Sequence, residues 1–296
     1  MTDAPEPGIY PDIPMDEYRA WPYPNYSLLK LWRKDLCDEE RKAEIEKPTE
    51  PNDAMRLGSM VEVAIHDEAA VGADTQPYPA GVKQKNSKAY NELVEANPGI
   101  TYLPPSLYAK HGEMVAAAKA MAKKIKADEW VWPKLDGALR QVSFVCDLTF
   151  DGMLGERVTH RVKGRADYLR KKAGLILDLK TTSYGGPRSM GRVFHDQAYD
   201  VQAALYANCL TKLLGKPLQF YFIMVRTVYP YVVTPYNTST TEMAGELLRY
   251  GQNAYETYLE RHAECVRTGV WGGYRNDDDP LGKDRILSVI WPPWAA

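Results

Sequence analysis

Hydrophobic and polar positions alternate most cleanly over Lys163–Thr182, KGRADYLRKKAGLILDLKTT. Side chains in a strand change face at every residue. Arg165, Asp167 and Leu169 therefore share one side of a first strand, and Ile176, Asp178 and Lys180 share one side of a second. Lys171-Lys172-Ala173-Gly174 supplies the turn, with Gly174 able to take positive φ. Centring that turn between Lys172 and Ala173 sets Arg170 opposite Leu175, Tyr168 opposite Leu177 and Asp167 opposite Asp178. Directly opposed residues have Cβ atoms about 5 Å apart. Two carboxylates that close, on a strand flanked by Leu175, Ile176, Leu177 and Leu179, repel unless a proton or a cation sits between them. Lys180 adds one positive charge on the same face. A hard divalent cation such as Mg²⁺ takes carboxylate and carbonyl oxygens and binds phosphate at the same time. A purely structural Asp–Asp–Lys cluster, or a shifted register, stays open as the alternative.

Elsewhere the pattern predicts an irregular arm over Met1–Pro14 and a helical turn over Asp16–Ala20. A helix starts near Tyr26, capped by Asn25 or Ser27. Cys37–Pro51 reads as a surface loop or short helix. Asp53–Ala70 carries a helical apolar face of Met55, Met60, Val61, Ala64 and Ile65, with Glu62 and His66 one turn apart on another side. Val71–Leu107 holds a loop and a helix at Ser87–Ala96, where Lys83, Lys85 and Lys88 face phosphate or plain solvent. Leu107–Lys126 is an amphipathic helix rich in Ala and Lys. Gln141–Phe150 and Glu156–Arg170 read as strands around an Asp151-Gly152 turn, so three or four antiparallel strands precede Thr181.

Thr181–Gly191 reads as a Gly/Ser loop leaving the strand beside the proposed metal. Arg192–Leu214 reads as one helix, with Phe194, Ala198, Val201, Leu205, Cys209 and Leu213 inward and Gln202 and Tyr206 as i,i+4 neighbours on a polar ridge. Two strands follow, Leu218–Val228 and Tyr231–Tyr236. Ser239-Thr240-Thr241-Glu242 is a capping box for a long helix reaching about Thr268. Trp271, Tyr274, Trp291 and Trp294 anchor a tail on the core.

Composition narrows the function. The 296 residues hold 37 Lys and Arg against 39 Asp and Glu, which argues against coating nucleic acid by bulk charge but allows a local basic channel. The four cysteines, Cys37, Cys146, Cys209 and Cys265, lack any metal-ligand spacing. Reduced thiols and a cytoplasmic location are the expectation. No apolar run reaches about 18 residues, so no membrane span is expected. The acidic, proline-rich N-terminus is not a signal peptide. The predicted organisation is an arm over 1–24 and a single domain over 25–296.

Asp167 followed by Asp178-Leu179-Lys180 resembles the D…(D/E)xK signature of the PD-(D/E)xK nuclease superfamily. The wider resemblance, from about Tyr26 to Trp294, is to phage-type exonucleases similar to RecE (exonuclease VIII) and lambda exonuclease. It rests on the early Ser-x-Leu-Lys helix, on Gly58-Ser59-Met60-Val61-Glu62 where RecE-like members carry His at the last position, and on Gln202-Ala203-Ala204-Leu205-Tyr206, which matches a Gln-x-x-x-Tyr helix. Many relatives place Glu near position 141, where this chain has Gln141, and no catalytic role is assigned to it.

The resemblance implies an α/β (α+β) restriction-endonuclease-like core, a central mixed sheet flanked by helices. It implies Mg²⁺, with Mn²⁺ able to substitute, held by Asp167, Asp178, the Leu179 carbonyl and Glu62. Lys180 is the catalytic lysine, and Gln202 and Tyr206 border the site. Arg165, Arg170, Lys171, Lys172, Thr181 and Thr182 are the expected DNA contacts. The implied activity is 5′→3′ digestion of one strand of linear duplex DNA, leaving a 3′ single-stranded tail for recombination by strand annealing. A homo-oligomeric ring (trimer or tetramer) and a single-strand annealing protein are the implied partners, with no membrane. A single-strand or flap nuclease of the same fold, and an inactive DNA-binding module, are the alternatives.

Overall fold

The computed structural model describes residues 4–48, 51–85, 87–238 and 242–274. Its helices are α1 (Met15–Ala20), α2 (Tyr26–Leu29), α3 (Asp38–Glu46), α4 (Asp53–His66), α5 (Lys88–Ala96), α6 (Pro105–Ala127), α7 (Trp132–Leu135), α8 (Pro187–Asp196), α9 (Tyr199–Leu214) and α10 (Glu242–Thr268). The strands are β1 (Gly8–Tyr10), β2 (Thr75–Pro77), β3 (Thr101–Leu103), β4 (Leu139–Asp151), β5 (Arg157–Arg170), β6 (Leu175–Thr182), β7 (Gln219–Arg226) and β8 (Val233–Asn237).

Six strands form a mixed central sheet in the order β1-β4-β5-β6-β7-β8. β4, β5 and β6 make an antiparallel meander, and β7 then joins β6 in parallel. A parallel neighbour needs a crossover, and α8 with α9 supplies it. The β5–β6 register follows the alternation for Tyr168 opposite Leu177, Leu169 opposite Ile176 and Arg170 opposite Leu175, but the ladder stops there and the expected Asp167–Asp178 pair does not form, because the strands diverge. Gly174 closes the turn at φ +69, its N–H donating to the Arg170 carbonyl at 2.9 Å.

Both faces of the sheet are covered, which is why β6 and β7 read as nearly continuous apolar runs. On one face Leu169, Ile176, Phe220 and Phe222 pack with Val201, Leu205 and Cys209 of α9 and with α10. On the other, Tyr168, Leu177, Ile223 and Val225 pack with Val61 and Ile65 of α4 and with Met121 and Ile125 of α6. The Phe144 ring lies over Gly164, where an added Cβ would stand 2.1 Å from it. The same ring meets Tyr206 edge-on at 5.2 Å. Gly251 on α10 allows backbone contact with the first turn of α9; a Cβ there would lie 2.1 Å from the Asp200 carbonyl oxygen.

Two expectations are corrected. The N-terminal arm is not irregular throughout. β1 adds an edge strand to β4, with Gly8 opposite Val145 and Tyr10 opposite Ser143. Buried Lys163 then ties α1 down by donating to the carbonyls of Tyr18 (3.0 Å), Arg19 (3.1 Å) and Trp21 (2.5 Å). A three-residue strand is too short for its alternation to register in sequence. The helix over 192–214 is in fact two. α8 begins earlier, at Pro187, and the chain breaks at Ala198, which has φ +54, before α9 starts. Alanine is the best helix former, so local preference gives no hint of this break. Ala198 is fully buried, and packing sets its conformation.

The Asn25 cap holds, its Oδ1 accepting the Leu28 N–H at 3.0 Å. The predicted capping box at 239–241 and the aromatics Trp291 and Trp294 lie outside the described residues. No disulfide forms, and no helix among the described residues is long and apolar enough to cross a membrane.

Candidate active site

The site forms where β5 and β6 part. Their pairing runs from the turn only as far as Tyr168 and Leu177. Beyond it β5 stays with β4 and β6 continues with β7. At the fork the Asp167 side chain takes the place of a strand partner, Oδ2 accepting the Leu179 N–H at 2.9 Å. Asp178, only 1% exposed, turns toward α9. Its Oδ2 accepts from Gln202 Nε2 at 2.7 Å, and its Oδ1 faces the Lys180 ammonium. The break at Ala198 starts α9 where Gln202 can meet Asp178 from within its first turn. It also puts the Tyr199 ring 5.6 Å from Lys180 Nζ, within cation–π range.

From the opposite face of the sheet α4 brings Glu62. Between it and Asp167 stands Gln141. The β4–β5 ladder pairs Arg140 with Tyr168 and Val142 with Ala166 but skips Gln141, which has φ +47. Left-handed backbone is uncommon outside glycine, and such strain clusters at functional sites. The Gln141 amide nitrogen donates to Glu62 Oε1 at 2.5 Å and to Asp167 Oδ1 at 3.3 Å. Its oxygen accepts from Arg165 Nε at 2.8 Å. Arg165 is fixed in turn by the Ile13 carbonyl at 2.7 Å and Ser143 Oγ at 3.4 Å. Glu62, Gln141, Arg140, Arg165, His66 and Ile13 line a cleft of about 590 Å³ beside the acids.

The electrostatics record an excess of negative charge out of water. Burial and then the Asp167 charge push the Glu62 carboxyl up to about 7, against the Gln141 hydrogen bond and Arg165. Burial is also the largest influence on Asp178, and with the Asp167 charge it raises that carboxyl to about 7 despite Lys180 and Gln202. Desolvation works against the Lys180 ammonium, but Asp178 and Asp167 outweigh it and hold its pKa above the ordinary value. Lys30, just after α2, is lowered by burial and by the Lys34 and Lys180 charges. It makes no ion pair among the described residues; its nearest ring is Tyr26, at 5.9 Å.

The donor set suits a hard cation: three carboxylates, a main-chain carbonyl, and protons retained near neutrality where a positive charge would relieve them. In this structure N–H donors hold one oxygen of Glu62, both of Asp167 and one of Asp178. Among the described residues no three His, Cys, Asp or Glu side chains close on a single point.

Asp178 thus meets Lys180 and Gln202, Asp167 meets the Leu179 N–H, and Glu62 reaches Asp167 through Gln141. Other predicted site residues are placed differently. Tyr206 is buried in the core between Phe144 and Phe220, its hydroxyl accepting the Arg165 N–H at 3.4 Å, so it supports β5 from beneath. Arg165 faces inward to Gln141 and Ile13 rather than outward to a DNA backbone. Arg170, Lys171 and Lys172 sit at the hairpin tip, the other end of β6 from the fork. Arg170 is capped there by the carbonyls of Pro133 (2.5 Å) and Asp136 (2.9 Å).

Thr181 and Thr182 end β6 on the site side. Thr182 Oγ1 accepts the Tyr184 N–H at 3.1 Å, and its carbonyl accepts the Thr227 N–H at 2.8 Å. His66 pairs with the Tyr168 hydroxyl at 2.9 Å, an anchor for the end of α4. Sequence reasoning missed Gln141, Tyr199 and Lys30 as parts of the site. The Glu that many relatives place near position 141 was the signal for the first, and the break at Ala198 hid the second.

A forked sheet with an Asp on one arm, Asp-Leu-Lys on the other and a helical Glu and Gln closing from opposite faces is the arrangement of the PD-(D/E)xK nuclease fold. The chain belongs to the family described as the PDDEXK-like domain of unknown function (DUF3799), whose model matches residues 25–276. No curated protein matches it. Among solved structures it is similar to one from Eubacterium rectale described as a "Putative exonuclease", at 16% identity and TM-score 0.58, covering 95% of this chain and 96% of that one. A phage related exonuclease from Haemophilus somnus 129PT aligns at 11% identity and TM-score 0.25, over 71% of this chain and 95% of that one.

Proposed function

We propose that this chain is a metal-dependent deoxyribonuclease that degrades linear duplex DNA from its ends, 5′→3′, leaving a 3′ single-stranded tail for strand annealing. The observation that carries the proposal is the ion pair of buried Asp178 with Lys180, its carboxylate held by Gln202 beside Asp167. Burying that many ionisable groups at one fork of the sheet costs stability, and perturbed carboxyls of this kind cluster at functional sites. Glu62, Asp167, Asp178 and the Leu179 carbonyl are the groups to hold Mg²⁺ or Mn²⁺. When bound, such an ion polarises a scissile phosphate and lowers the pKa of a water.

The protein groups divide the remaining work. Gln202 fixes the Asp178 rotamer, so the carboxylate presents one orientation. Lys180, between Asp178 and the Tyr199 ring, orients an attacking water and offsets charge building on the phosphate. Lys30, a cation with no carboxylate of its own, is placed to meet a substrate phosphate. End preference, polarity, a ring-shaped oligomer and an annealing partner rest on the resemblance to RecE-like and lambda-type exonucleases. An inactive DNA-binding module is disfavoured because Asp167, Asp178, Lys180 and Gln202 are all present, with Lys180 and Gln202 both on Asp178 and Asp167 on the Leu179 N–H.

The test is digestion of end-labelled linear duplex, with and without a 5′ phosphate, beside circular and single-stranded DNA. Mg²⁺-dependent loss of the 5′ label from linear duplex alone is expected. Cleavage of circles, or of single strands in preference, redirects the reading to the flap and single-strand class. Absence of hydrolysis on every substrate ends the enzymatic reading.

A further inference from the structure

Among the described residues Gln141 is the one side chain hydrogen-bonded to two of the three acids, and it sits on strained backbone. Three observations bear on it. Its amide nitrogen is shared between Glu62 Oε1 and Asp167 Oδ1, at 2.5 and 3.3 Å, so two carboxylates from different elements lie within hydrogen-bond reach of one donor. The amide cannot be turned over freely, because Arg165 Nε holds its oxygen at 2.8 Å and a flipped amide would set N–H against N–H. Finally, the residue keeps φ +47 as the third residue of a thirteen-residue strand, where its neighbours Arg140 and Val142 pair normally. A regular strand at this position would restore the Gln141–Asp167 ladder pair, which the structure lacks. The left-handed conformation costs on the order of 1–3 kcal/mol, and something in the native arrangement must offset it.

We infer that Gln141 is a positioning residue that stands in for a cation: its amide bridges Glu62 on α4 to Asp167 on β5 and keeps the acids assembled before any metal arrives. This rests on the metal-site reading above and adds a residue to it. The physical reason is that a neutral N–H donor satisfies both carboxylates without competing as a charge. An ion entering the site exchanges a weak partner for a strong one, and the protein is already shaped for it. Preorganisation of this kind lowers the reorganisation that binding must otherwise pay for. Arg165 extends the device outward, since the same guanidinium reaches the Ile13 carbonyl at 2.7 Å and so couples the N-terminal segment to the bridge.

Backbone and side chain can be separated experimentally. Gln141→Gly suits φ +47 and removes the amide; Gln141→Asn tolerates the left-handed region and keeps an amide too short to span both acids. Both should retain or raise the melting temperature of the metal-free protein while weakening Mn²⁺ binding, read by titration calorimetry, at least tenfold. Gln141→Glu keeps the length and removes the donor. It should lower the metal-free melting temperature and enlarge the shift that Mn²⁺ produces.

Unchanged Mn²⁺ affinity in Gln141→Gly, with wild-type protein binding normally, overturns this inference and leaves the site reading standing. Wild-type protein that binds no Mn²⁺ overturns both. A Gln141→Glu protein with wild-type stability and wild-type metal shift also removes the bridging role, whatever its activity.

Discussion

The Asp167 carboxylate takes the main-chain N–H of Leu179 at 2.9 Å, and this one bond both ends a β-ladder and begins the site. Where β5 and β6 separate, a strand N–H would be left unpaired out of water. A side chain satisfies it instead, so the two strands diverge without an orphaned donor. Asp167→Asn preserves an acceptor oxygen and should keep the fold while abolishing hydrolysis. Asp167→Ala leaves the Leu179 N–H unsatisfied and should also cost about 1–3 kcal/mol of stability. Urea unfolding of the two variants beside a cleavage assay separates charge from scaffold, and an active Asn variant would remove Asp167 from the chemistry.

Lys180, half-buried, and Asp178, buried, form an ion pair that is only fully partnered when both are present. Lys180→Met should lower the cleavage rate by about two to three orders of magnitude, the scale found for a single charge-stabilising donor. Without the ammonium, the Asp178 carboxyl, already raised to about 7, moves higher and stays protonated at neutral pH. Wild-type rates in this variant would contradict the assignment of Lys180.

Metal binding should depend on pH in a definite direction. Glu62 and Asp178 hold their protons to about 7 in the folded chain. An unfolded chain releases them by about pH 5. Between those limits the folded state carries the extra protons, so metal-free stability falls as pH rises through the window. A divalent cation removes that penalty, and the thermal shift from Mg²⁺ or Mn²⁺ should be larger at pH 8 than at pH 5.5. EDTA should abolish both shift and cleavage. Equal shifts at the two pH values would place the ion away from these acids.

Lys30 offers a cation without a carboxylate beside the lysine of the site. Lys30→Ala should weaken DNA binding about tenfold at low salt and flatten its salt dependence, with Mn²⁺ affinity unchanged. Fluorescence anisotropy over a salt series reads the first and calorimetry the second. Unaltered DNA affinity would return Lys30 to the role of a packed side chain.

The hairpin and its register were legible because three local signals agree: a period of two, a turn with Gly174, and apolar flanks on both faces. Glu62 and Gln202 were legible as helical positions whose spacing does not depend on exact boundaries. Gln141 was not, since nothing in its local sequence asks for left-handed backbone; the acids around it, distant in the chain, make that conformation worthwhile. The split at Ala198 was hidden for the converse reason, a residue of high helix propensity overruled by burial. Arg170, Lys171 and Lys172 look like a basic patch in one dimension. In space the turn carries them to the remote end of the hairpin, and carbonyls near α7 absorb Arg170.

The close passage of α10 over the first turn of α9 at Gly251 has a consequence for how the protein tolerates mutation. A single methyl group added on that rear helix would press on Asp200, whose carboxylate is paired with Arg33 at 2.7 Å, and so on the turn that carries Tyr199 and Gln202. Inactivating changes need not fall near the acids at all: a screen for dead variants should recover position 251, whose side never faces a substrate, alongside the residues that do.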